Sequence, residues 1–426
     1  MTFPKSRVRR RIRHRSRSPC RRLGAGADVL NLGNFANTIS ISNVETITGG
    51  SGADTVTMGS ALSSSVTIDL AAGNDKVTLT NGTNTGTLSN VETVTGSSGA
   101  DTVTIATNMT AALVNMGSGV DTLVLAATSG VNTLVVSNAE TITANASDDT
   151  LTLSTGMTNG VIDLGGGVNK LTLAAPANTL TLSNTESVTG GTADDRLTFG
   201  TQITAGNFNL GGGTQDTLTL ANFDNTLTAL GVETVVGNAG VDDITLANAA
   251  VGGSFNLGAG NDVLRLFNGV NNITLTNSVE TVIGNSGSDV ITLGTNGATG
   301  NLYNLGAGAD AITFGNFVNV ATLAGVETVT GNSGADTITL TTQAVNALIN
   351  LGSGTDTLTL ANAANTLTVG ADIETLIGNS GADVVSLATA VTGRTYDLGA
   401  GSDRLILADG TNQITAANIE TVTGGT

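Results

Sequence analysis

The chain has 426 residues, with 57 glycines, no tryptophan, 3% aromatic and 12% charged side chains, which excludes a core packed from large aromatic residues and favours layers that each bury small β-formers against their neighbours. The net charge of −18 hides a division: residues 1–22 hold ten of the sixteen bases and no acid, whereas 23–426 hold all 34 acids and six bases, 6 − 34 = −28. So acidic a body argues against nucleic acid as its partner and leaves bound cations or plain solubility.

In chain order, the basic head comes first. MTFPKSRVRRRIRHRSRSPCRR, 1–22, contains the only histidine (His14), the only cysteine (Cys20) and two of the three prolines. One reading is a nucleic-acid or targeting patch. The register of the repeats favours a disordered or foreign extension instead. The frame Asx-Leu-Gly-x-Gly-x-Asp, as in NLGAGAD at 304–310, appears at 22–28 as RLGAGAD, with Arg22 where Asp or Asn belongs. No standard signal peptide accompanies the charges, and no apolar run is long enough to span a membrane. The repeats use no disulfides, since Cys20 lies in the head.

From residue 23 a Val-Glu-Thr-like tag recurs. Its glutamates are Glu45, Glu92, Glu140, Glu186, Glu233, Glu280, Glu327, Glu374 and Glu420, at gaps of 47, 48, 46, 47, 47, 47, 47 and 46. A fixed period of this size predicts a stacked repeat, here a single array of about nine units over 23–426. In the unit 327–373, β-like runs begin near Glu327, Asp336, Asn346, Asp356 and Asn365. Each alternates apolar and polar residues, and Gly, Asn, Ser and Asp fill the gaps as chain reversals require. No helical period is present. The expected fold is all-β, a right-handed parallel β-solenoid (β-roll or β-helix) built from ~47-residue repeats. If the solenoid is two-sided, five steps make two and a half rungs, and equivalent positions switch sides from one period to the next; a three-sided winding is the competing geometry. At the far end VETVTGGT, 419–426, stops where the next glycine turn should begin, and neither end shows a capping repeat. The expectation is an array cut at both ends.

Two aspartate series keep fixed offsets from the tag. The first is Asp54, Asp101, Asp149, Asp195, Asp242, Asp289, Asp336 and Asp383; the second is Asp75, Asp121, Asn169, Asp216, Asp262, Asp310, Asp356 and Asp403, with Asp28 leading. They sit in turns such as GGSGADTVT (49–57), GNSGADTIT (331–339) and LGSGTDTLT (351–359). In these turns the chain resembles the hemolysin-type (repeats-in-toxin) calcium-binding family, whose nonapeptide is Gly-Gly-x-Gly-x-Asp-x-apolar-x. The resemblance implies a parallel β-roll with Ca²⁺ between stacked turns, held by aspartate carboxylates and turn carbonyls. The family runs its nonapeptides in tandem, whereas here two steps of five carry the motif. A first-series aspartate lies about one rung from the following second-series one, so the expectation is isolated pairs: Asp54 with Asp75, Asp101 with Asp121, Asp195 with Asp216, Asp242 with Asp262, Asp289 with Asp310, Asp336 with Asp356 and Asp383 with Asp403. The stretch 140–169 is expected to be defective, because ANASDD at 144–149 lacks the glycines and Asn169 replaces an aspartate. Against the metal stands the plainer reading that Gly-x-Asp is good turn chemistry by itself. The tag glutamates read as ordinary exposed residues at strand starts. The row Asp69, Asn115, Asp163, Asn209, Asn256, Asn304, Asn350 and Asp397 reads as a stacked amide or turn-capping ladder.

Three functions fit. The first is a calcium-binding repeat region of a secreted or cell-surface bacterial protein, folding as a rod when it meets the ion. The second is a metal-independent structural or adhesin rod, with cell-surface polysaccharide or neighbouring copies as conceivable partners. An enzyme acting on polysaccharide is the weakest, because the array has no histidine and only Lys76, Lys170, Arg196, Arg265, Arg394 and Arg404 as bases.

Overall fold

A computed structural model describes residues 12–13, 21–22, 24, 26–125, 130–276, 279–294 and 297–425. The chain divides into two compact units, Met1–Thr201 with Gly206–Thr214, and Gln202–Ala205 with Gln215–Thr426. Each is an all-parallel β-solenoid, and the described residues contain no helix. No helix is therefore long and apolar enough to cross a membrane.

In the first unit, consecutive strands fall in opposite sheets, and each pairs with the strands two before and two after it. Thr46–Thr48 lies between Val29–Asn31 and Thr67–Asp69, and Thr55–Met58 lies between Thr38–Ser42 and Lys76–Thr78. One rung is thus two strands and two turns, so the solenoid is two-sided, and the three-sided alternative falls away. The alternation of Thr-Val-Thr and Ile-Thr-Leu strings decides which residues go in. Val56, Val77, Val94, Val114 and Val136 stack in register on one sheet, and Ile47, Ile68, Leu88 and Ile105 on the other. All are buried, while the threonines between them stand half-buried or exposed on the faces. Fully burying each such aliphatic contributes about 1.5–3 kcal/mol. Phe199 and Phe208, with ring centroids 4.7 Å apart, add aromatic volume at the last turns of this core.

The second unit repeats the plan. Leu218, Val235, Phe255, Leu275 and Leu293 are the inward positions of one sheet, and Ile244, Leu264, Val282, Tyr303, Leu323 and Leu340 those of the other.

The strand after each tag glutamate changes sides, as a five-step repeat requires. In the first unit Thr46–Thr48 and Thr141–Thr143 lie in one sheet, and Thr93–Ser98 and Ser187–Thr189 in the other. In the second unit Thr234–Val236, Thr328–Thr330 and Thr421–Thr423 alternate with Thr281–Ile283 and Ile373–Ile377 in the same way.

Within the basic head, the backbones of Ile12–Arg13 and Arg21–Arg22 pair in parallel with Val29–Asn31 and Thr38–Ser42. The rest of the head, on which the expectation of a disordered or foreign segment falls, lies outside the described residues.

Candidate functional site: hydrogen-bonded ladders inside the turns

The two aspartate series sit at the mouths of the strands, and their side chains point inward rather than out of the turn. Asp54, Asp101, Asp242, Asp262, Asp289, Asp310, Asp336, Asp356 and Asp383 all have zero relative exposure. What holds them is the main chain of the neighbouring rung. Asp336 Oδ1 accepts the backbone N–H of Asn319 at 2.9 Å and its Nδ2 at 2.8 Å. The N–H of Asp336 donates to Asp356 Oδ1 at 2.7 Å, and the N–H of Asp356 donates to Glu374 Oε2 at 2.7 Å. The result is a four-member ladder, Asn–Asp–Asp–Glu, one rung per member.

The same ladder recurs in both units. In the first it runs Asn37–Asp54–Asp75–Glu92 and Asn84–Asp101–Asp121–Glu140. In the second it runs Asn225–Asp242–Asp262–Glu280, Asn271–Asp289–Asp310–Glu327 and Asn365–Asp383–Asp403–Glu420. Asp195 caps Asn178 in the first unit, and Asp216 donates its N–H to Glu233 in the second. At the fifth step the acceptor is the asparagine itself: Ala298 N–H donates to Asn319 Oδ1 at 3.1 Å, and Ala344 N–H to Asn365 Oδ1 at 3.0 Å. The asparagine Nδ2 also ties its own turn, donating to the Phe317 carbonyl in the case of Asn319.

Several expectations change here. The tag glutamates are not idle surface charges; apart from the exposed Glu420 they are half-buried, and each ends a ladder. The cap asparagines were legible only as strand starts, although an Asn 17 or 18 positions before each first-series aspartate was the signal available. The stretch 140–169 is not defective as a ladder: Asn132–Asp149–Asn169–Glu186 is complete, at 2.8, 2.8 and 2.7 Å. The Asx row does cap turns, with Asp163 Oδ1 accepting Gly165 N–H at 3.0 Å and Asn350 Oδ1 accepting Gly352 N–H at 3.1 Å. Of the array's bases, Arg265 pairs with Asp243 at 2.9 Å and Arg394 with Glu374 at 2.5 Å.

The ladder leaves an electrostatic residue. The Oδ2 atoms of Asp54, Asp75, Asp121, Asp242, Asp262, Asp289, Asp310, Asp336, Asp356, Asp383 and Asp403 are buried without a hydrogen-bond partner, whereas Asp101 Oδ2 accepts from Ser97 Oγ. Burial removes water from the charged form and pushes the carboxyls of Asp75, Asp121, Asp289, Asp336 and Asp383 up. Asp242, Asp262, Asp310 and Asp356 rise to about 6, burial being the first cause. Neighbouring acids add to the rise, as Asp336, Glu374 and Asp372 do for Asp356.

The turn motif implies calcium, and the residues fit that ion only in part. The spacing does bring six of the seven expected pairs onto adjacent rungs within one unit, each joined by an N–H···Oδ1 bond. Yet each Oδ1 is committed to main-chain donors, and among the described residues no three of His, Cys, Asp and Glu converge where they could hold a metal ion. Calcium takes six to eight oxygens; two carboxylates offer four, so turn carbonyls would have to supply the rest. The first glycine of the turn has a packing role instead: a Cβ on Gly331 would collide with the Leu351 carbonyl and with Asp336 Oδ2.

No known family and no curated protein sequence matches the chain.

Proposed function

We propose that this chain is a structural β-solenoid, a non-enzymatic scaffold segment whose turns close by hydrogen bonds without a metal. The observation that carries this reading is the Asn–Asp–Asp–Glu ladder, in which a carboxylate oxygen of one rung accepts a backbone N–H of the rung before it. Such a device removes the unsatisfied main-chain donors that a stack of tight turns would otherwise bury. A right-handed winding with a 47-residue unit of five steps is part of the proposal, supported by the handedness of parallel β crossovers and by the alternation of sides. A place outside the cell, with polysaccharide or further copies as partners, rests on the resemblance of the turns. Against catalysis stand the absence of histidine from the array and the pairing of Arg265 and Arg394 with acids.

The rival is calcium-dependent folding, and one measurement separates the two. The β circular dichroism of the chain is expected to be the same in excess chelator and in millimolar calcium. A spectrum lost on chelation and regained with calcium would favour the rival, because metal-site binding energy is folding energy.

A further inference from the structure

We propose that the second aspartates of the ladders, exemplified by Asp75, Asp121 and Asp310, act as neutral carboxyl groups that do an amide's work. Oδ1 accepts the N–H of the neighbouring rung, and Oδ2–H donates to the main-chain carbonyl two residues before the tag glutamate. This rests on the reading of a solenoid that closes without a cation.

Asn169 supplies the template. It occupies the second-aspartate position, its Oδ1 accepts the N–H of Asp149 at 2.8 Å, and its N–H donates to Glu186 at 2.7 Å. Those are the contacts an aspartate makes in the other ladders. Its Nδ2, free to donate, does so to the carbonyl of Asn184 at 2.9 Å. Asn184 is in the left-handed region with φ 54°, and the equivalent residues Asn90, Asn138 and Gly325 share that conformation, at 54°, 55° and 58°. By this equivalence the carbonyls of Asn90, Asn138 and Gly325 are the proposed acceptors for Asp75, Asp121 and Asp310. In each of these aspartates the atom in place of Nδ2 is Oδ2, buried and without a partner. A carboxylate oxygen and a carbonyl oxygen are both acceptors; buried together they require a proton between them.

In each case one main-chain N–H, of Asp54, Asp101 or Asp289, favours the charged form, and the charged groups that act on the carboxyl are acids. Asp75 faces Asp54 and Glu92, Asp121 faces Asp101 and Glu140, and Asp310 faces Asp289 and Glu327, acids in every case. Burial, then these acids, raise all three carboxyls, Asp310 to about 6.

The test is the triple variant Asp75→Asn, Asp121→Asn, Asp310→Asn. It is expected to keep the β spectrum and, near pH 8, to melt higher than the parent by on the order of 5 °C. The gain should vanish near pH 4, where the parent's carboxyls are neutral as well. A lower melting point near pH 8 would show that the charge is needed and overturns the proposal. Should the variant misfold, carboxyl carbon NMR of the parent near pH 5 decides instead: protonated aspartates persisting above the ordinary carboxylate range support it, and full ionisation overturns it. Failure of the structural reading shows separately, as unfolding of the parent in chelator.

Discussion

Asp336 illustrates what one side chain does here. Its Oδ1 satisfies two donors of Asn319, and both are buried. Asp336→Ala leaves the Asn319 N–H without an acceptor, while Nδ2 keeps the carbonyls of its own turn, and the expected cost is about 1–3 kcal/mol. The check is the urea midpoint of the parent against Asp336→Ala; an unchanged midpoint would mean that the bonds are dispensable. At this scale the sequence showed where each aspartate stands but not where it points. A glycine-flanked carboxylate serves an outward cation cage and an inward cap equally well, and the choice depends on which N–H groups the next rung presents. For the same reason Glu374 looked like a surface charge: its acceptor role depends on Asp356, 18 residues away in the chain and one rung away in space.

At the scale of strand and turn, far more was legible. Alternation in strings such as DTLTL at 356–360 placed Leu358 and Leu360 inside, and both are buried. For a two-sided winding, five steps per period placed successive tags on opposite sheets. The number of sides was not legible, because turns of similar length close a two-sided or a three-sided rung; only the pairing of every strand with its second neighbour decides it. The glycines of the turns are legible as turn residues, yet their reason is contact between rungs. Gly331 has an ordinary backbone conformation, so its need for a bare Cα comes from the Leu351 carbonyl and the Asp336 carboxyl beneath it. Gly331→Ala should therefore force these apart at a cost of about 1–3 kcal/mol. Hydrogen exchange should register this as faster exchange at Asp336 and Thr357, whose N–H groups bond to the adjoining rung; unchanged protection there would refute the contact.

For the molecule as a whole, the acid ladders set the pH dependence. Asp242, Asp262, Asp310 and Asp356 have folded values of about 6 against an ordinary 3.8. A raised folded value means that the folded state binds protons more tightly than the unfolded chain. The stabilisation is then complete below about 3.8 and is lost as pH rises through about 6. The thermal midpoint is expected to fall between about pH 4 and pH 7, opposite to a protein whose carboxylates are held by cationic partners. A midpoint rising over that interval would show that the buried acids are not the controlling groups.

The switching of sides bears on how such an array can grow or shrink. Two neighbouring repeats are nearly alike in sequence, yet within a unit they present their ladders on opposite edges. Excising one repeat would rotate the rest of that unit by half a turn, exchanging front and back. Excising two would restore the orientation. Gene-level duplication and loss that keep a surface facing the same way must therefore proceed by pairs, and an odd event exposes the other face while the inward apolar pattern is kept.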